Sequence, residues 1–581
     1  MTDSQIPHVL GDLSTAEDSI IHCARRGTWF HPDPSIGVEQ LETTDFPHLR
    51  VRARLLRELL MGRHGELDPR GVLVEGMRVV GRLDLNDVTA ITRLSLVACA
   101  LPDGITCVNA RLRGLLLRAS QIRNLNAQGL RCDGDLLLHL AMITGTSDSG
   151  ALRLHSAHVD GMLNLERSTI TSNVGPALNA EKLRTGSNLF LLNANITGAG
   201  ESGALRLHSA HIDGLLELDG STVTNSSGPA LHGENLRADN GLFLRDVVVA
   251  GAGDAGALRL HSAQVGSFDG TRAVVANNTG AGLTADMISV DGSLILRDAT
   301  ITGAGELGAL RLAAAHIGSQ AVLLGVQLTN KSGPVLLLNE ARVDGTLYLS
   351  AAAVCPQARS EIRKEPCPDN VREVDVQGLV FPRLGGSWRE WLHLLVHHTV
   401  DYRPQPYQQL ATVERTAGHD NNARHILITQ QDDLRHRSPD ALGKPIARWR
   451  HWLWGWLGRY GYRAHRLVIA LAATLILTGA IGYTAGHITT RPHHYAAERV
   501  QSPTIPSTQP GTACSTAELI GLGIDRGLPL GATGLRARCD LDTATGWGQT
   551  FTYLLWTLQA LLWALATLTI AAYTGLVRKP T

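Results

Sequence analysis

Three segments carry the spacing of a dinucleotide-binding turn. GAGESG at 198–203, GAGDAG at 251–256 and GAGELG at 303–308 each match G-x-G-x-x-G. That fingerprint serves pyrophosphate binding: the glycines turn a strand tightly into a helix whose N-terminus meets the phosphates, and an acid about 20 residues on holds the ribose. Here each copy runs instead into ALRL, an alternating stretch that reads as strand, and no acid stands at a shared distance behind all three. The glycines are therefore read as turns, and no cofactor is expected. Cys355 and Cys367, in CPQARSEIRKEPC, lack the C-x-x-C or His spacing of a zinc site. With no HExxH, phosphate loop or nucleophile elbow either, no metal ligand or catalytic residue is assigned.

The remaining chemistry is charge on a surface. Aligned on the repeat described next, one outward position holds in turn Arg111, Arg131, His158, Arg184, His211, Arg237, Gln264, Ser289, His316 and Arg342. A second row holds Arg153, Arg206, Arg259 and Arg311 on alternate coils. Such columns can face an acidic protein or another polyanion. The simpler reading is that they are balanced by the neighbouring row Asp133, Asp160, Asp213, Asp239, Asp291 and Asp344. The 53 Lys+Arg offset the 53 Asp+Glu, so no nucleic-acid partner is expected. Histidines of the first row stand two coils apart, too far to share a metal.

What must position these rows is an internal repeat. GALRLHSAHVDG, GALRLHSAHIDG, GALRLHSAQVGS and GALRLAAAHIGS start at Gly150, Gly203, Gly256 and Gly308, at spacings of 53, 53 and 52. Each unit halves, since ALRLHSAHVDGMLNL from Ala151 aligns with ALNAEKLRTGSNLFL from Ala177, giving a coil of about 26 residues. Within a coil the apolar period is two: Leu152 and Leu154 face in around Arg153, and Leu163 and Leu165 around Asn164. Short alternating strands between DG, SG and GP turns bury their apolar face only by stacking. The fold expected is mainly β, a parallel β-solenoid over 71–350, with shorter and less regular coils at its start. An inward change such as Leu207→Asp should then unfold neighbouring coils, and an outward one such as Arg206→Asp should be nearly silent. A capping helix is expected over 48–62 within the N-terminal segment 1–70. The repeat is read as ending at Ser350, followed by a helical cap or linker over 351–446.

Two uncharged apolar runs, 467–486 and 551–573, are long enough to cross a bilayer. Trp449, Trp452, Trp454, Trp456 and Tyr460 precede the first, and Trp547, Tyr553 and Tyr573 attend the second. The juxtamembrane stretch 447–466 has five Arg and no acid, and the tail 574–581 adds Arg578 and Lys579. The loop 487–550 balances five Arg against five acids. With no secretory signal at the N-terminus, these charges predict a multi-pass protein of the plasma membrane with both termini cytoplasmic. Cys514 and Cys539 in the outer loop are expected to form a disulfide, while Cys23, Cys99, Cys107, Cys132, Cys355 and Cys367 stay reduced inside.

From GVLVEGMRVVGRLDLNDV through YRPQPYQQLATVERTAGHDNNARHILITQQDDLRHR and GYGYRAHR to GLVRK, the chain resembles a group of actinobacterial membrane proteins often labelled membrane-associated oxidoreductase. The repeats are more loosely similar to the pentapeptide-repeat class. The label implies a cofactor, which the residues do not supply. The function expected is a non-catalytic scaffold or sensor, a cytoplasmic solenoid tied to the lipid bilayer and binding a cytoplasmic protein or polyanion. Two other classes stand beside it: an enzyme (an oxidoreductase or a carbohydrate-active β-helix) and an oligomeric two-span pore or effector. The last would self-associate through Gly482 and Gly486 and the face Ala560, Ala564, Ala571.

Overall fold

The computed structural model describes residues 10, 12–33, 36–354, 374–500, 511–528 and 537–574. The chain divides into two compact units, 1–419 and 420–581. The first is a parallel β-solenoid with four faces, built from sheets of 13, 12, 12 and 10 strands. One coil shows the plan: Leu163–Asn164 lies on face A, Thr169–Ser172 on face B, Leu178–Asn179 on face C and Arg184–Thr185 on face D. Each strand pairs in parallel with its equivalents one coil away, so Leu152, Leu178, Leu205, Leu231 and Leu258 form one row. These leucines are fully buried, as are Leu154 and Leu207 two positions on, whereas Arg153 and Arg206 between them are only half-buried. The alternation thus sets which side chains fill the core, because a one-residue slip would turn every leucine outward.

The coil length has a physical origin. Ile105 pairs with Leu125, 20 residues later, but Leu125 pairs with Leu152, 27 residues later. Most of the extra residues enter at the corner between faces B and C, where Gly145 and Leu152 now bound a loop that Ile122 and Leu125 lack, and one enters between faces D and A, where Arg111 and Leu115 become Arg131 and Leu136. The C-to-D and A-to-B sides keep their length. The C-to-D corner turns through one left-handed residue per coil, for instance Ser156, Lys182 and Ser209 with φ of 55° and Asn235 with φ of 54°. Stacked backbone bonds hold it in place, such as Ser209 N to Glu234 O at 2.8 Å.

Both ends are covered. At the N-terminal end lie α1 (Thr15–Arg26), the short α2 (Val38–Leu41) and α3 (Ala53–Leu60). The helix expected over 48–62 is therefore shorter: Arg50–Arg52 is a strand that pairs with Arg78–Val80 and opens face B. The open edge of the first coil offers backbone partners there, and these outweigh helical spacing. Buried Glu17 ties the cap together, accepting from Arg52 N at 3.1 Å and Arg52 Nε at 2.8 Å.

The repeat does not end at Ser350. After 355–373, which lie outside the described residues, Val374–Asp375 pairs with Leu336–Leu337, and Arg383–Leu384 with Thr346 and Leu347. The inserted segment hides the period, but Val374, Val376, Leu379 and Phe381 keep the inward alternation and are buried. Helices α4 (Trp388–His397) and α5 (Pro404–Thr416) close this end. Gln405 accepts from Gly378 N and donates to Leu379 O, and Gln409 donates to Phe381 O at 2.6 Å. Side-chain amides thereby satisfy an edge that no further strand covers.

The second unit holds α6 (Asp420–Arg437), α7 (Pro445–Gly458), α8 (His465–Ala485), α9 (Thr516–Gly527) and α10 (Gly546–Tyr573). Helices α8 and α10 are long and apolar enough to cross a membrane. They carry outward Ile469, Ile476, Trp556, Trp563 and Ile570, and Trp449, Trp452 and Trp456 of α7 are exposed. The Gly482–Gly486 face of α8 is occupied within the chain, by α9. A Cβ on Gly482 would run into the Leu519 carbonyl and come 2.7 Å from Gly523 N. The expectation that these glycines serve self-association is corrected accordingly, while Ala560 and Ala564 of α10 remain exposed.

Candidate functional site

The three G-x-G-x-x-G segments all form the B-to-C corner loop. Thr222–Asn225 of the coil above one of them supplies a clamp: Asn225 Nδ2 donates to Gly200 O at 2.8 Å and to Pro229 O at 2.7 Å. Asn277 does the same to Gly253 and Ala281, and Asn330 to Gly305 and Pro334. Amide groups of the loops are engaged too, with Ala199, Ala252 and Ala304 donating to Gly175, Gly228 and Gly280. Gly203, Gly256 and Gly308 have φ of 118°, 132° and 96°, so each marks a backbone turn open to glycine. Strands Leu205–Arg206, Leu258–Arg259 and Leu310–Arg311 follow. A phosphate cradle needs free N–H groups at a helix start. These corners have no helix start, because each runs straight into a strand.

The first basic row lies on face D in one column, Arg131 pairing with His158, His158 with Arg184, Arg184 with His211 and His211 with Arg237. Most members meet the aspartates beside them: His158 lies 3.0 Å from Asp160, Arg237 2.6 Å from Asp239, and His316 and Arg342 lie 2.9 and 2.7 Å from Asp344. Arg237, helped by His211, holds the Asp239 carboxyl below its ordinary range, and Arg342 with His316 does so for Asp344. Arg131 and Arg184 have no carboxylate partner among the described residues.

The second row lies on face C and is balanced by acids that the aspartate row does not include. Arg206 lies 3.0 Å from Glu181, Arg311 2.6 Å from Asp286, and Arg259 contacts Glu234. Each acid sits in the turn of the preceding coil. Arg153 stands apart because the matching turn residue is Gln128. Arg206 is thus not the silent outward residue expected from alternation alone, since its side chain is 22% exposed and ion-paired. Exposure by face does not report what the next coil places opposite.

Face C also brings together His208, His232 and Glu234, whose ligand atoms lie within 4.8 Å of one another. Sequence reasoning followed the face-D histidines and missed His232. The signal was available in the alignment of LRLH with LHGE, which puts His232 opposite Arg206 and Glu234 opposite His208. A second trio, His211, Asp213 and Asp239, is open to solvent, and Arg237 already holds Asp239.

The solenoid thiols are chemically quiet: burial pushes Cys99 and Cys107 up to about 12 and Cys132 up to about 11. Cys514 and Cys539 form a disulfide with Cα atoms 6.3 Å apart. It joins the start of α9 to Cys539–Leu541, a strand antiparallel to Ala497–Arg499. Cys355, Cys367, Arg578 and Lys579 lie outside the described residues. A cleft of about 270 Å³ between Val374–Gln377 and Thr399–Tyr407 is lined by Asp375, Asp401 and Arg403 among mainly apolar neighbours.

No known family, curated protein or solved structure matches this chain.

Proposed function

We propose that this chain is a non-catalytic scaffold, fixed in the plasma membrane by α8 and α10 and holding its solenoid in the cytoplasm for a partner protein or polyanion. The observation that carries the reading is the construction of the solenoid surface. Its faces are continuous sheets on which most charges meet a partner in the same or an adjacent coil, and the corners whose spacing resembles a nucleotide site are clamped by an asparagine of the next coil. Flat, repetitive, internally balanced faces suit a protein surface better than a small substrate. An acidic partner would start at Arg131 and Arg184, the face-D arginines that lack a carboxylate partner among the described residues. The five arginines of 447–466 support a cytoplasmic solenoid.

Topology is tested with a membrane-impermeant thiol reagent on intact cells, read peptide by peptide, in a chain carrying Val248→Cys. Val248 is 41% exposed on face B, so its thiol is reachable whenever the reagent is on the same side. The expected result is labelling of Cys514 and Cys539 only after reduction, and of position 248 only after lysis. Labelling of position 248 on intact cells would place the solenoid outside and defeat the proposal. Saturable binding of NADPH or flavin by the purified chain would favour the oxidoreductase reading instead. The exposed Ala560–Ala564 face of α10 favours self-association within the membrane, testable from the mass of the detergent-solubilised particle.

A further inference from the structure

We infer that His208, His232 and Glu234 form a binding site for a divalent transition-metal ion of the zinc class. His232 ends the face-C strand Leu231–His232, and Glu234 follows in the turn. His208 occupies the same turn position as Glu234, one coil earlier. His232 Nδ1 lies 3.1 Å from Ser202 O, an atom that only accepts, so Nδ1 carries the proton. The ring then turns its Nε2 towards Glu234 Oε2, 3.2 Å away. His208 Nδ1 lies 3.9 Å from the same oxygen. Both ring nitrogens are buried and have no hydrogen-bond partner. Arg259 contacts the other carboxylate oxygen, Oε1, which leaves Oε2 facing the two rings.

Two imidazole nitrogens and a carboxylate oxygen converge on one point, an arrangement that a cation completes. Zinc takes His₂Glu sets with bonds of about 2.0–2.2 Å, which places tetrahedral ligand atoms about 3.4 Å apart; here the two nitrogen–oxygen separations are 3.2 and 3.9 Å, so His208 closes in by a small side-chain rotation when an ion binds. The backbone carbonyl on Nδ1 is the outer contact that orients a metal-bound imidazole. The side chain of His208 is 31% exposed, so an ion can enter and keep water as a fourth ligand.

The repeat supplies its own control. Two coils earlier His155 Nδ1 lies 3.8 Å from Glu181, the same pair, but position 179 is Asn where this coil has His232. The full-length chain in detergent, stripped with a chelator, should bind Zn²⁺ or Co²⁺ with one equivalent that is lost in His232→Asn and retained in His155→Asn. Asn is the residue the solenoid itself carries at position 179, so His232→Asn is compatible with the coil. In the unmodified chain, Zn²⁺ should protect His208 and His232 from diethylpyrocarbonate and leave His155 reactive. An unchanged stoichiometry in His232→Asn, or equal modification of all three histidines with and without Zn²⁺, overturns the assignment.

Discussion

Replacing Asn225 by Ala asks whether the glycine corners are held by the side chain of the next coil. Asn225 is 6% exposed and its Nδ2 makes two bonds, at 2.8 Å to Gly200 O and 2.7 Å to Pro229 O. A hydrogen bond contributes about 1 kcal/mol net, and a buried acceptor left without its donor costs at least that. Two such losses come to about 2 kcal/mol, the lower end being appropriate because exposed Ser226 and Ser227 let water into the corner. That loss corresponds to about thirtyfold in the local opening equilibrium. Hydrogen exchange followed by mass spectrometry on the full chain reads it directly. The amides of Gly203, bonded to Gly200 O, and Ala204, bonded to Pro229 O, should exchange about thirtyfold faster. Those of Leu125 and Ala127, three coils away, should not change, because each coil touches only its neighbours. Unchanged exchange at 199–204, or an equal rise along the whole solenoid, would refute the clamp.

Leu207→Asp should unfold adjacent coils, since an unpaired charge would sit in a fully buried row, and soluble aggregate-free yield should collapse. Arg206→Asp should cost about 1 kcal/mol by thermal melting, because it sets a like charge beside Glu181, and Arg206→Gln should cost less. For Glu17, burial alone would raise the carboxyl, but the hydrogen bonds from Arg52 and Ser14 and the charge of Arg52 lower it. A depressed folded value means the cap gains stability above the unfolded value, about 4.3, and loses it as pH falls below. Proteolysis of 12–60 should therefore accelerate towards pH 3, and Glu17→Gln should weaken the cap at pH 7 by about 1 kcal/mol, because the Arg52 partner is partly solvated, and abolish that pH step. Gly482→Ala should push α9 off α8 and lower the detergent melting temperature, an overpacking loss of about 1–3 kcal/mol.

The solenoid was legible because its evidence is repeated: Leu152, Leu178 and Leu205 say the same thing coil after coil, and alternation fixes what faces inward. The two span-length helices were legible from uncharged length alone. The last coil was not, because 355–373 interrupts the period before Val374 resumes it. The α8–α9 contact escaped for a different reason: a small-residue face announces close approach but not which helix approaches. The face-C ion pairs and the His208–His232–Glu234 group depend on which residue of one coil stands over which of the next. That relation appears only when coils are registered strand by strand, and Arg206 shows how an outward position becomes a partner once its neighbour is known.

Stacking by nearest neighbours also dictates how the first unit yields to force. Each coil is bonded to the coils above and below, so tension along the stack loads one ladder at a time and peels the end coil while the rest stays intact. A coil in which Leu152 and Leu178 are 26 residues apart releases about 90 Å of extended chain in exchange for about 5 Å of stack height. The earlier coils, with Ile105 and Leu125 20 residues apart, release about 70 Å. Pulled from its two ends, such a stack lengthens in graded steps and limits the force it transmits.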